Sequence, residues 1–185
     1  MPSGSEDVGE MNLTIMNFGN SIYEAFLDTK TENMDMFTEV DEYSKRMFSN
    51  YPNLKYSEEQ FFMLATMQEQ ISRLKFERKS RGTGTMKFIN SFLQLGDFED
   101  KSKGYVPNLS IFSGRVQLIC DNTFKPFLKD NVNCLSLNPE KDLLKPPHAS
   151  HLKGLSEKFP ATLLSVKIYI NKKHLDTKYG GLSHE

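Results

Sequence analysis

The chain has 185 residues, 38% hydrophobic and 25% charged, enough for one domain of ordinary size with a buried core. No apolar run approaches the roughly 18 residues that span a bilayer. The small, acidic start MPSGSEDVGE also lacks the basic stretch and apolar run of a signal peptide, so an intracellular (cytoplasmic or nuclear) protein without membrane contact is expected. The net charge of −1 conceals a split: residues 1–70 carry 13 Asp and Glu against 4 Lys and Arg, whereas residues 71–185 carry 11 against 19.

Residues 1–10 show no apolar pattern and read as a disordered leader. Over 13–27 the apolar residues Ile15, Met16, Ile22, Tyr23, Phe26 and Leu27 predict a first helix, weakened by Gly19. A second is predicted over 32–48, where Met36, Val40, Tyr43 and Met47 recur at spacings of 4, 3 and 4. The third has the strongest start signal. Ser57 and Gln60 make a capping box, and Tyr56 can staple onto Phe61. Phe61, Leu64, Met67, Ile71 and Leu74 then form one stripe, predicting a helix that continues to residue 79. A fourth, over 86–95, carries Phe88, Ile89, Phe92 and Leu93 on one side, with Gly96 placed to end it.

Beyond a charged loop at 96–107 the period changes to two. Residues 109–112 and 115–120 flank Ser113-Gly114 as a predicted hairpin, with Val116, Leu118 and Cys120 on one face. Residues 121–160 hold five of the eight prolines and read as loop-rich, and 162–171 alternates cleanly as a late strand. The expected fold class is α+β. A disordered leader (1–10) precedes an acidic, Met-rich helical region (11–96), then a basic, Pro-containing α/β region (97–171) packed on it as one domain, then a mobile tail (172–185).

All nine methionines fall at or before Met86. Flexible thioethers suit surfaces that accept an irregular partner, and the second helix carries apolar residues over more of its circumference than one buried face requires. Met34, Met36, Phe37, Met47 and Phe48 are therefore the expected protein-docking surface. Arg73, Lys75, Arg78, Lys79, Arg81 and Lys87 form the expected polyanion-binding set, with arginine forks for phosphate oxygens beside Phe76 and Phe88. A helix C-terminus also favours cations through its dipole, which accounts for part of that cluster without a ligand.

Other constellations fall short. The RGTGT turn follows a helix and lacks the third glycine of a dinucleotide loop and the Gly-Lys of a P-loop. Asp97, Glu99 and Lys101 have the composition of a metal-dependent nuclease site, but stand in one loop without a further acid. His148 and His151 would be half a zinc site without a CxxC partner, and read as exposed loop histidines. Cys120 and Cys134 read as reduced. No catalytic set, metal or cofactor is expected. By elimination the chain reads as a non-catalytic adaptor with a protein partner and a basic surface for RNA, DNA or an acidic neighbour. A direct nucleic-acid-binding protein and a nuclease or phosphotransfer enzyme built on Asp97, Glu99 and Lys101 are the alternatives.

Overall fold

The computed structural model describes residues 8–28, 30–31, 33–69, 71, 83–95 and 105–179, and the chain is a mixed α and β structure. In order, the elements are β1 (Val8–Phe18), α1 (Ile22–Asp28), α2 (Met34–Asn50), α3 (Glu58–Thr66), α4 (Thr83–Leu95), β2 (Asn108–Asp121), β3 (Phe127–Lys129), β4 (Val132–Cys134), β5 (Leu152–Asn171) and α5 (Lys172–Tyr179). Three long strands form an antiparallel sheet in the order β1-β5-β2, and β3 and β4 form a separate hairpin. The turn residues Asp130 and Asn131 both take left-handed φ angles (50° and 62°), as a tight two-residue hairpin turn requires.

Two expectations at the start of the chain are corrected. Residues 8–10 belong to a strand, and the first part of the expected 13–27 helix, through Phe18, is extended. The chain turns at Gly19-Asn20, and α1 begins only at Ile22. A capping box fixes that start: the Glu24 N–H donates to Ser21 Oγ at 3.2 Å and the Ser21 N–H to Glu24 Oε2 at 3.0 Å. The hydrogen-bonded Lys158 ammonium, with the Ser21 N–H and hydroxyl, lowers the Glu24 carboxyl from its ordinary 4.5 to about 2. A depressed folded-state value stabilises the fold above the unfolded value and is lost as the pH falls from about 4.5 through about 2. Glu24 is well exposed, so screening limits the contribution to a few tenths of a kcal/mol. Glu24→Gln keeps the cap but not the charge. Its urea midpoint should lie slightly below wild type at neutral pH and coincide with it near pH 2.

The helix α2 forms over nearly its expected span, and α3 starts where Ser57 and Gln60 close their reciprocal cap, with Tyr56 packed on Phe61 at 5.6 Å. It ends at Thr66, far short of residue 79. Gln68 donates to the Leu64 and Leu135 carbonyls and accepts from the Leu135 N–H. The Glu69 carboxylate accepts from both the backbone and side-chain N–H groups of Asn133. These bonds to the segment 133–135 hold the chain after Thr66 away from the helix axis. The expected stripe is only part of what α3 buries. Gln60, Phe61, Phe62, Met63, Leu64 and Ala65 are all buried, because α3 lies between the sheet and the α1–α2 layer.

The expected hairpin at Ser113-Gly114 is instead a bulge within one continuous strand. Pairing with β5 shifts on both sides of Gly114, whose φ of 58° admits the kink. Pro160 lies in the shifted part of β5, where a residue without an N–H is tolerated. The expected tail begins as α5, where Asn171 Oδ1 accepts from the His174 N–H at 3.1 Å. One core joins Met63, Leu64, Met67, Met86, Ile89, Phe92 and Leu93 of the helices to Leu109, Ile111, Val116, Leu118, Val166 and Ile168 of the sheet. Val116, Leu118 and Cys120 share its face, as their alternation predicts.

Candidate interaction face on the sheet edge

The helices α3 and α4 pack on β2 and β5, and β1 extends the sheet beyond them. In register, Met11, Leu13 and Ile15 stand opposite Ile168, Val166 and Leu164, on the core-facing side. Ile168 and Val166 are buried, yet Met11 is 39% exposed, Leu13 40% and Ile15 51%. The apolar row therefore runs out of the core into solvent. On the opposite side of the strand Met16 is exposed, and Phe18 more so at 79%. Of ten large apolar side chains exposed among the described residues, these five lie on one eleven-residue strand.

Along its other edge β1 has no strand neighbour among the described residues. Edge strands are usually blunted by bulges, prolines or charges. The other edge strand, β2, shows such devices. Its bulge at Gly114 breaks the ladder, the Arg115 N–H donates to Glu59 Oε1 at 2.9 Å, and Ser113 Oγ takes the Ile22 N–H at 2.8 Å. In β1 there is no proline, and Glu10 is its one ionisable residue. Glu10 is already matched: Asn12 Nδ2 donates to it at 2.8 Å and Lys167 Nζ lies 3.1 Å away, which together lower its carboxyl below the ordinary value, while Tyr169 and Glu10 raise the Lys167 ammonium. The edge is thus long, apolar and locally neutral.

The expected docking surface on α2 lies elsewhere. Met36 (3% exposed), Phe37 (8%) and Met47 (0%) are buried, so three of its five residues are unavailable to a partner. Met36 and Phe37 join Phe26, Val40, Phe62 and Ala65 in a second cluster, while the half-buried Phe48 ring stands edge-on to Phe61 at 5.2 Å. The helix needs apolar residues around a wide arc because it packs toward Phe62 on one side and Phe61 on the other. Met34 remains exposed. Of the polyanion set, Lys87 is exposed on α4. Arg73, Lys75, Arg78, Lys79 and Arg81 lie outside the described residues, as do Asp97, Glu99 and Lys101.

His151 corrects the reading of exposed loop histidines, since it is buried at 7% exposure. Its Nε2 lies 3.1 Å from Asp121 Oδ2 and its Nδ1 2.7 Å from Ser150 Oγ, which is also 2.7 Å from His148 Nδ1. Serine, histidine and aspartate in sequence of contact have the composition of a hydrolytic triad, but acyl transfer also needs free amide donors for the oxyanion. Here the Ser150 N–H donates to His148 Nδ1, and the His151 and Leu152 N–H groups both donate to the His148 carbonyl. The amides beside the hydroxyl are spent in the turn. The network's evident effect is to tie the start of β5 to the end of β2, where the Ile119 N–H also bonds the His151 carbonyl.

No group of three or more His, Cys, Asp or Glu side chains is placed to hold a metal among the described residues. Cys120 and Cys134 are both free and buried, and burial pushes both thiols up. A cavity of about 300 Å³ lies between α2, the end of α3 and β4, with Val40, Tyr43, Ile71 and Cys134 on its walls. On its walls Gln68 and Glu69 are spent on the segment 133–135, whereas the buried Tyr43 hydroxyl has no hydrogen-bond partner among the described residues. No described helix is long and apolar enough to cross a membrane. Comparison of the chain with protein-family models, with curated proteins and with solved structures gave no match.

Proposed function

We propose that the chain is a non-catalytic interaction protein. It docks a protein partner through the β1 side of its sheet and contacts a polyanion or an acidic partner through its basic set at Arg73, Lys75, Arg78, Lys79, Arg81 and Lys87. The observation that carries the first half is the concentration of exposed apolar side chains on a single unblunted edge strand. The second half rests on the Lys and Arg excess after residue 70.

Photo-cross-linking tests both halves together. A photoreactive residue at Ile15 should label polypeptide, and one at Lys87 should label nucleic acid in a salt-sensitive, nuclease-sensitive manner. Leu128, exposed at 65% on the separate hairpin, serves as the control for random collisions. Labelling at Ile15 no stronger than at Leu128 overturns the docking face. If Lys87 labels no nucleic acid, and changing Arg73, Arg78 and Arg81 together to Glu leaves retention on a polyanion column unchanged, the polyanion half is overturned.

A further inference from the structure

We infer that the partner of the β1 face is a second copy of this chain, joined β1 to β1 in antiparallel fashion about a two-fold axis at Leu13. The inference rests on the reading of β1 as a docking face and names its occupant. An axis at Leu13 pairs every residue of Val8–Phe18 with one on the other copy. Leu13 meets Leu13, Met11 meets Ile15, Asn12 meets Thr14, Glu10 meets Met16 and Val8 meets Phe18. Apolar residues of the core-facing row fall opposite apolar residues of the same row, and the two polar residues near the centre fall opposite each other. The two sheets become one of six strands, in the order β2-β5-β1-β1-β5-β2, and the outer edges are the bulged β2 strands. An isologous contact needs such self-complementarity, and an eleven-residue segment centred on its own apolar triplet supplies it.

Charge favours the same occupant. A basic partner strand would find Glu10 already taken by Lys167, and an acidic one would find no cation on β1. A copy of the same strand places the two Glu10 carboxylates about 20 Å apart along the ladder, well beyond the roughly 8–10 Å over which exposed charges act at moderate salt. The net charge of −1 adds little repulsion between copies. Size sets the strength. A strand pair of eleven residues is about 37 Å long, and a sheet is about 10 Å thick, so the contact covers about 700 Å² summed over both copies. That is below the roughly 1,200–2,000 Å² of stable interfaces, so the dimer should exchange with monomer rather than be obligate.

The test uses the full chain. Sedimentation velocity across a wide concentration series should show a reversible monomer–dimer equilibrium. Leu13→Glu and Leu13→Lys should each be monomeric with an unchanged far-UV CD spectrum. Mixing the two should restore the dimer, because opposite charges then face each other on the axis. A second pair of variants needs no introduced charge. Cysteines replacing Leu13 would face each other with Cα atoms about 4.5–5.5 Å apart, within disulfide reach. Cysteines replacing Phe18 would lie about 34 Å apart. Under mild oxidation L13C should form a disulfide-linked dimer and F18C should not, although Phe18 is the more exposed position.

A wild-type chain that stays monomeric at every concentration overturns the second copy as occupant. If Ile15 then still labels another polypeptide, the docking face itself stands. A dimer indifferent to L13E, or cross-linking of F18C as fast as L13C, places any self-association on another surface or register and overturns the inference.

Discussion

Phe62→Ala is expected to cost about 3–5 kcal/mol, a large share of the roughly 5–15 kcal/mol that holds an ordinary domain folded. The ring is fully buried and sits where three helices meet. Tyr23 and Phe26 of α1 stand edge-on to it at 5.1 and 5.9 Å, and Phe37 of α2 tilts against it at 5.8 Å. Truncation removes transfer energy and leaves a cavity whose walls are themselves large rings, which close over a void poorly. Urea unfolding should show a much lower midpoint, with the slope unchanged if the denatured state is unaffected. Phe48→Ala, at a half-buried ring, should cost distinctly less. Equal losses at the two positions would contradict the packing of α1, α2 and α3 described above.

Gly114→Ala should cost about 2–4 kcal/mol, through two separable effects. A left-handed backbone costs a non-glycine residue about 1–2 kcal/mol. The added Cβ would also stand 1.9 Å from Glu59 Oε1 and 3.2 Å from Ser21 Cβ, so the carboxylate must leave. When it leaves, the Arg115 N–H loses its acceptor. A double-mutant cycle separates the effects. In a Glu59→Ala background there is no carboxylate to displace, and Gly114→Ala should then cost only the backbone part. The same penalty in both backgrounds would show that the Glu59 contact contributes nothing.

Elements specified by local chemistry were legible from the chain alone. The span of α2 follows its 3.6-residue period, α3 starts at the Ser57–Gln60 cap, and the second half of β5 follows its clean alternation. The errors share a cause, because each depends on a contact distant in sequence. Just past the end of α3 at Thr66, Gln68 and Glu69 are held by Leu135 and Asn133, more than sixty residues away. At Ser113-Gly114 a hairpin turn and a bulge ask for the same glycine, and only pairing with β5 decides between them. His151 is buried because Asp121 waits for it across thirty residues. The strand β1 was the costliest to misread. With Met16 and Phe18 on its outer side it lacks the clean alternation of a half-buried strand, and its apolar residues also fit a helix. The Ser21–Glu24 capping box carried the missing signal, since it places a helix start at Ile22, in the middle of the expected helix. The exposed apolar row of β1 was hidden by the same error. Exposure of Leu13 and Ile15 comes from topology, because β1 lies beyond the reach of α3 and α4.

The central place of β5 also governs the order in which this molecule can be made. Residues that pair between β1 and β5 are separated by 143 positions at Phe18–Ala161 and 163 at Val8–Asn171, and β2 pairs with that same late strand. On a ribosome the only described neighbour of the apolar β1 is synthesised more than a hundred residues after it. Until then neither it nor β2 has a strand to join, and closing such long loops is slow. The nascent chain therefore carries an unpaired apolar strand until β5 is made, a period in which holding factors would matter more than they do for a protein built from local hairpins.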